Sequence, residues 1–177
     1  MMINFIELRN DLKSWVRNTT GLDSRHVINQ NSKGVTPTGQ YATVRVMDPM
    51  RIGSDTKEYA NADNDTVDIS YIGLVKIMVS INIYRENGNI TPLSQMAKLK
   101  ASFDRVTTQD YFRSKNIGII DSSESRDLSS VFNDAWIERR QTDFFFYVED
   151  TDTENVTAIM KVDGKGFGIP YEVDASL

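Results

Sequence analysis

Four charged side chains stand just ahead of an aromatic run in residues 136–148, and their types could support acid–base chemistry. Glu138 and Asp143 would be the paired carboxylates of such a site, with arginines beside them. The two carboxylates are an odd number of positions apart, so a regular strand points them to opposite faces. Glu138 shares a face with Arg140, and Arg139 shares one with Asp143. We therefore expect cross-strand ion pairs, within the sheet or between subunits, instead of a catalytic pair.

A single histidine and three aspartates are the other side chains that could take part in catalysis. His26 lies in a turn-rich loop without a Ser or Asp partner that the sequence can identify. Because the members of a triad come from distant positions, a triad stays open, but we expect a surface histidine. Asp63, Asp65 and Asp68 could bind a metal ion for hydrolysis, and this interpretation is kept as an alternative.

Two acidic stretches begin like calcium-binding loops, and one glycine-rich stretch looks suited to phosphate. Residues 63–68 and 150–154 lack the Gly at the sixth position and the Glu at the twelfth that an EF-hand needs, so we expect solvated turns. Residues 164–168, GKGFG, are not followed by a helix, which both common phosphate loops require. We therefore expect no metal and no cofactor, and either a flexible connection or a frayed terminus here.

The chain of 177 residues is long enough for one domain with a buried core. A net charge of −5 argues against binding duplex DNA over a broad surface, although a local basic patch is compatible with it. The chain has no cysteine, which excludes disulfides and thiolate chemistry. No apolar run approaches a membrane span, and charges interrupt the N-terminal residues, so we expect neither membrane insertion nor a signal peptide.

Hydrophobic periodicity and turn residues predict an α+β fold. Asn4 caps a first helix that ends by Gly21, and Thr91 with Pro92 opens a second helix. A loop is expected over 49–65, because the sequence there is polar and has no period. The other predicted elements are a short helix at 108–115 and strands at 41–47, 68–85, 117–120, 136–148 and 156–162. We therefore predict a mostly antiparallel sheet with two or three helices packed on one face.

One domain is expected over residues 1–150, followed by an edge strand and an arm over 151–177. Alternation puts Phe144 and Phe146 on the core face of the long strand. Carried back along the strand, the same face holds Trp136, Glu138, Arg140 and Thr142. Charged side chains are costly in a core, so we expect that the strand outruns the core at this end or that a bulge shifts its register.

Six short motifs stand in a definite order along the chain. The first two are NQN at 29–31 and PTGQYATV at 37–44, and the others are VKIMVSINIYR, LSQMAKLKASF, YFRSKNIGII and WIERRQTDFFFYV. This order resembles that of neck and tail-terminator proteins from tailed bacteriophages. The family's last strand carries an aromatic residue, an acidic residue and an arginine ahead of an Asp-aromatic run; the matching positions are Trp136, Glu138, Arg139 and Asp143. The resemblance covers most of residues 1–150.

The resemblance implies a structural virion protein without enzymatic activity. Such proteins form rings, often hexameric, that cap the tail tube and join it to the neck connector. The implied partners are further copies of the chain, tail tube proteins, neck or connector proteins, and sheath proteins as a further candidate. DNA would pass through the ring without specific binding, which the acidic balance favours. The implied location is the virion tail or neck, after assembly in the host cytoplasm. A neighbouring neck or head-completion protein and a non-virion assembly adaptor are the alternatives.

In a ring, a neighbouring copy would cover the open edges of long strands, which are usually protected in a monomer. Apolar side chains near the C-terminus could act as a hook onto a neighbour. The candidate interface residues are Met50, Arg51, Ile52, Tyr59, Arg139, Asp143, Phe167, Ile169 and Tyr171.

Overall fold

A computed structural model of the chain describes residues 3–30, 36–63, 66–85, 91–132, 135–157, 161–166 and 169–174. The chain divides into two compact units. The helix–sheet unit comprises Ile3–Ile52 and Leu74–Glu149, and the strand unit comprises Gly53–Gly73 and Asp150–Leu177. The domain boundary near residue 150 stays a prediction.

Three α-helices and ten β-strands make up the described part of the chain. The helices are α1 Phe5–Thr20, α2 Pro92–Phe103 and α3 Val106–Arg113. The strands are β1 Val27–Asn29, β2 Gln40–Val46, β3 Met50–Asp63, β4 Thr66–Arg85, β5 Ile117–Ser122, β6 Arg126–Asp127, β7 Ser130–Phe132, β8 Ala135–Thr157, β9 Lys161–Gly166 and β10 Ile169–Asp174.

The main sheet has eight strands in the order β1-β2-β4-β8-β5, with β3 paired to β4, and β6 and β7 paired to β8. β1 runs parallel to β2, while β2 pairs antiparallel with β4, and β5, β6 and β7 pair antiparallel with β8. The predicted α+β fold with a mostly antiparallel sheet is therefore confirmed. The short strands β1 and β5 lie at the ends of the order, and β3, with 14 residues, pairs only with β4 in the described part of the chain. The expectation of open edges on long strands therefore stays a prediction.

The helices begin where the capping residues predicted. The Asn4 side chain accepts hydrogen bonds from the backbone N–H groups of Ile6 and Glu7 at 3.2 and 3.3 Å. α1 ends at Thr20, and Gly21 follows it with a φ of 74°, which glycine adopts readily and other residues adopt only at a cost. Thr91 accepts a hydrogen bond from the N–H of Ser94 at 3.2 Å, and a proline follows it at the first helical position.

All three helices pack on one face of the sheet through an aromatic cluster centred on Trp15. The Trp15 ring of α1 lies 5.7 Å from Phe103 of α2, 5.4 Å from Phe112 of α3 and 5.1 Å from Phe144 of β8. Trp15 Nε1 donates to Ser102 Oγ at 3.2 Å, which satisfies its buried polar group. The other buried hydrophobic residues of the core include Leu8, Leu12, Val16, Ala42, Val44, Val75, Ile77, Val79, Ile81, Ile83, Met96, Leu99, Ile117 and Phe146.

The predicted loop over 49–65 is wrong, because Met50–Asp63 forms strand β3. Of the side chains at 50–60, only Ile52 and Asp55 are even partly buried. A strand without a buried face produces no alternation of apolar and polar residues, so its sequence looks like a loop. β8 extends past the predicted end at 148 for the same reason, since its last residues are mostly exposed.

The C-terminal expectations need three corrections. No single strand covers 156–162: Val156 and Thr157 end β8, and Lys161 begins β9. Residues 150–154 lie inside β8 and do not form the expected solvated turn. Within 164–168, the residues that the structure describes end β9, which pairs antiparallel with β10, so the frayed terminus is wrong there, while residues 167–168 of the expected flexible connection lie outside the described residues.

Candidate interaction surfaces

The sheet has a second face in the helix–sheet unit, on the side away from the helices, which we call the polar face. Its side chains alternate with the core residues along β2, β4 and β8. They come from Tyr41, Thr43, Arg45, Ser80, Asn82, Tyr84, Arg139, Gln141 and Asp143. The register of the strands decides which of these side chains lie opposite each other: Tyr41 faces Tyr84, and Thr43 faces Asn82.

An aromatic stack capped by an arginine forms one end of the polar face. Tyr41 lies directly opposite Tyr84 in the register, and their rings stack at 4.6 Å with an interplanar angle of 7°. The Arg139 guanidinium lies 5.2 Å from the centre of the Tyr84 ring, and its Nε donates to Oδ1 of Asn82 at 3.0 Å. Stacking and cation–π contacts of this kind fix the orientation of all three side chains.

Asp143 lies at the other end of the polar face, and only 7% of it is exposed. Its carboxylate accepts hydrogen bonds from Arg126 Nη2 and Gln141 Nε2, both at 3.3 Å. Gln141 also donates to Ser80 Oγ at 2.9 Å, and the backbone N–H of Asp143 donates to Ser123 Oγ at 2.9 Å. A nearly buried carboxylate is tolerated because these donors replace the water that it loses.

Two more ion pairs join neighbouring strands beside the charged lead-in of β8. Glu138 lies 3.8 Å from Arg85 of β4, and Arg140 lies 2.7 Å from Asp127 of β6. The hydroxyl and the N–H of Ser129 lower the pKa of Asp127 by hydrogen bonding, and Arg140 adds a smaller electrostatic effect. Together with the Arg126–Asp143 pair, these contacts confirm the predicted cross-strand ion pairing within the sheet. Arg139 and Asp143 share a face as predicted but bind different partners.

Large apolar side chains are exposed near the start of β8, and we call Leu93, Val131 and Trp136 the Trp136 patch. The exposed fractions are 51% for Leu93, 65% for Val131 and 59% for Trp136. Val131 is the register partner of Trp136 on the neighbouring strand. Trp136 and Leu93 line a cleft of about 280 Å³ together with Thr91, Pro92, Asp127, Ser129, Glu138 and Arg140. The exposure of Trp136 shows that the strand outruns the core at this end, which is one of the two predicted outcomes.

The predicted interface residues lie in different parts of the chain. Met50 and Tyr59 of β3 are 59% and 62% exposed, Arg51 is exposed, and Ile52 is partly buried. Arg139 and Asp143 belong to the polar face. Phe167 lies outside the described residues, and Ile169 and Tyr171 belong to β10. Their role as an interface stays a prediction.

A groove of about 490 Å³ runs over the helical layer, and we call it the helix groove. It is lined by Trp15, Asn18, Thr19, Lys98, Ser102, Arg105, Thr107, Thr108 and Tyr111. Tyr111 closes one side, and its hydroxyl donates to the backbone oxygen of Asp11 at 3.2 Å. Burial, and then the nearby Asp11 carboxylate, raise the pKa of Tyr111. The sequence interpretation missed this groove, because its residues come from three helices.

The side chains considered for catalysis are distributed without a shared centre in the described part of the chain. His26 ends a short 3₁₀ turn and is half-buried. Oδ1 of Asp68 accepts a hydrogen bond from Asn155 Nδ2 at 2.6 Å, and Asp65 lies outside the described residues. No group of three or more His, Cys, Asp or Glu side chains suited to a metal ion occurs among the residues that the structure describes. No helix in that part combines the length and the apolar character needed to cross a membrane.

Comparison with known proteins bears on what these surfaces contact. Residues 7–169 match a family model described as phage neck terminator protein. The match confirms the resemblance that the motif order predicted, and it extends past residue 150 into the C-terminal strands. No curated protein matches the chain significantly.

Proposed function

The chain belongs to the phage neck terminator protein family, and from that premise we propose that its copies close into a ring at the end of the tail tube. Membership of the family makes it a structural protein of the phage neck. In the proposed role the ring terminates the tail and joins it to the neck connector. A hexamer is the ring size that the motif resemblance implies, with tail tube and connector proteins as neighbours and sheath proteins as a further candidate.

The observation that carries the proposal is the Trp136 patch. Three large apolar side chains are more than half exposed on one side of the β7–β8 hairpin and the start of α2. The ion pair of Arg140 with Asp127 borders the same cleft, so an apolar centre has a polar rim. This arrangement is typical of protein–protein interfaces, in which tryptophan is enriched among the residues that dominate binding.

The short edge strands β1 and β5 favour contact through side chains over strand addition at those two edges. β1 and β5, at the ends of the sheet order, have three and six residues. Short edge strands offer few free backbone groups to a partner strand. At these two edges a partner would therefore bind through exposed side chains.

The chain's acidic balance supports passage of DNA through the ring without specific binding. A net charge of −5 per copy is multiplied by the number of copies, and like charge keeps phosphate contacts weak. Charges mapped onto an imaged ring test this part of the proposal. A lumen lined mainly by lysine and arginine would contradict it.

Complementation of tails made without this protein tests the proposed function. Purified protein should restore joining of heads to tails, and electron microscopy should show a ring at the head–tail junction. Trp136→Ala should lower joining by about tenfold or more, because truncating a central interface tryptophan costs about 2 kcal/mol or more. Ile6→Ala is the matched control, since Ile6 is 70% exposed but lies on α1, outside the patch.

Two results would overturn the proposal. One is normal joining of heads to tails in particles that lack the protein. The other is a structure of the junction in which this chain occurs as a single copy. Assembly in solution is a weaker readout than joining, because a ring can require the tail end as a template.

A further inference from the structure

Charge is divided unequally between the two units. The strand unit has 11 acidic and three basic residues, which gives it a net charge of −8. The helix–sheet unit has 17 basic and 14 acidic residues, which gives it a net charge of +3. The net charge of −5 is therefore the sum of two units of opposite sign. The negative strand unit of one copy would attract the positive helix–sheet unit of a second copy.

The positive excess lies on the helical layer. Residues 5–20 and 91–116 together have eight basic and four acidic side chains. Several of these basic residues are already engaged within the subunit. Arg113 pairs with Asp110 at 2.9 Å, Lys115 with Asp11 at 3.6 Å, and Lys100 Nζ donates to the backbone oxygen of Ser123 at 2.9 Å.

Lys98 and Arg105 of the helix groove are different. Both are exposed, and neither has an ion pair with a carboxylate in the part of the chain that the structure describes. They lie along one groove with the hydroxyls of Thr107 and Thr108. Two cations beside hydroxyl donors form a surface that fits carboxylates better than apolar side chains.

The strand unit offers carboxylates in a regular row. Residues 150–154 read DTDTE and include three acidic residues and no basic one, and Glu149, the last residue of the helix–sheet unit, precedes them. They lie in β8, where alternate side chains point to the same side about 7 Å apart. Asp152 and Glu154 are exposed, and both accept hydrogen bonds from neutral donors: Asp152 from the N–H of Thr153 at 3.0 Å, and Glu154 from the hydroxyl of Tyr71 at 3.3 Å. We call these two side chains the acidic row.

We infer that the ring contact is heterologous, with the acidic row of one copy bound in the helix groove of the next. This inference rests on the proposed ring and names two surfaces that take part in the contact between its copies. Contact between two different surfaces of identical chains propagates around a ring, whereas one surface that binds itself stops at a dimer. A second copy fits the groove better than DNA does, because every copy that presents the groove also carries the net −8 of its strand unit.

A charge exchange tests the contact directly. Lys98→Glu with Arg105→Glu reverses the groove, and Asp152→Lys with Glu154→Lys reverses the row. Each reversed variant should lower ring formation on tail ends, and joining of heads to tails, by about tenfold or more, since like charges then face each other. The variant with both reversals should recover most of the loss, because opposite charges meet again. Glu124→Lys and Arg25→Glu are controls, as both residues are exposed and lie outside the two surfaces.

The wild-type protein in the same assay separates the two hypotheses. If wild-type copies form the ring and each reversal leaves it unchanged, the inference is wrong and the proposed function stands. If wild-type copies form no ring, the proposed function fails and the inference fails with it. Should a reversed variant fail to fold, added salt replaces it: wild-type ring formation should weaken steeply between low and high ionic strength. If wild-type ring formation does not change with ionic strength, the inferred contact is wrong.

A DNA-binding role is an outcome of the same variants. Binding of a short fluorescent duplex is measured by anisotropy for the wild type and the groove variant. If the groove reversal abolishes duplex binding while ring formation is unchanged, the groove binds phosphate and the inference is overturned.

Discussion

The two faces of the sheet in the helix–sheet unit are held together by different physics. The face towards the helices buries phenylalanine, isoleucine and valine around Trp15, and none of its buried residues in the described part of the chain is charged. The polar face is held by hydrogen bonds, ion pairs and ring stacking among Tyr84, Arg139, Gln141 and Asp143. Both belong to the same strands, so alternation alone assigns each residue to one kind of environment.

This difference separates stability from presentation of a surface. Fully burying a large apolar side chain contributes about 1.5–3 kcal/mol, while an average intramolecular hydrogen bond contributes about 0.5–1.5 kcal/mol net of lost water contacts. The helix-facing side therefore supplies most of the stability. The polar face orders Tyr41, Tyr84 and Arg139, which stay partly exposed and are therefore fit to contact another protein.

Neighbouring phenylalanines on β8 test this separation with the largest expected effect. Phe146→Ala should lower the free energy of unfolding by about 3–5 kcal/mol, because Phe146 is fully buried against Phe112 and Phe103. Phe145→Ala is the matched control on the polar face, where the ring is partly exposed beneath Lys76 at 4.7 Å. It should cost less than half as much. Urea unfolding followed by circular dichroism measures both, and equal losses would show that the two faces stabilise alike.

The Asp143 network should produce the next largest effect. Asp143→Ala removes the acceptor of Arg126 and Gln141 and leaves their donors without it, so we expect a loss of about 1–3 kcal/mol in the free energy of unfolding. Glu124→Gln is the control, because Glu124 is exposed on the adjacent loop. A loss near that of Phe146→Ala would mean that the polar face is a second core.

Arg139→Lys isolates the geometry of the polar face from its charge. Lysine keeps the positive charge but loses the Nε donor to Asn82 and the planar group over Tyr84. We expect a loss of about 1 kcal/mol, and Arg139→Ala should cost little more if charge itself contributes little at this partly exposed site. If Arg139→Lys has no effect on unfolding, the stack and the amide bond do not stabilise the face.

The fold could be predicted from the sequence where an element has one buried face, because apolar residues then recur at regular intervals along it. Val75, Ile77 and Val79 alternate with polar residues, and that pattern identified both the strand and its core side. The capping residues Asn4 and Thr91 marked the helix starts because their side chains bond to the first backbone N–H groups. β3 was missed because almost all its side chains are exposed, so no period appears.

The surfaces were less predictable because they depend on register. Alternation placed Arg139 and Asp143 on one face, and the structure agrees. Their partners, Asn82 and Arg126, could not be identified, since the alignment of β4 and β6 against β8 is not written in local sequence. Lys98 and Arg105 meet in a groove only because three helices converge. Counting charge by segment would have found the acidic stretch at 149–154 and the basic helices.

The smallest effect is expected at Asp127, where the sheet outruns its core. Because hydrogen bonds from Ser129 lower the pKa of Asp127 in the folded chain, this carboxylate favours folding above its unfolded pKa. That contribution is lost as pH falls through the folded pKa. Ser129→Ala removes the hydroxyl donor at 2.6 Å and keeps the backbone donor at 3.0 Å. The pKa of Asp127, followed by NMR of the side-chain carboxyl carbon, should therefore rise towards its ordinary value.

Arg140→Gln shows whether Ser129 or Arg140 contributes more to the lowered pKa of Asp127. Its guanidinium lies 2.7 Å from Asp127, which suggests a strong ion pair, but 52% of the carboxylate side chain is exposed. Water and salt screen a charge pair in that setting, while a short hydrogen bond to a fixed hydroxyl is less affected. Arg140→Gln should consequently raise the pKa of Asp127 less than Ser129→Ala does. The reverse order would mean that the exposed pair of Arg140 and Asp127 acts as strongly as the contacts of the nearly buried Asp143, and the contrast between the two settings would disappear.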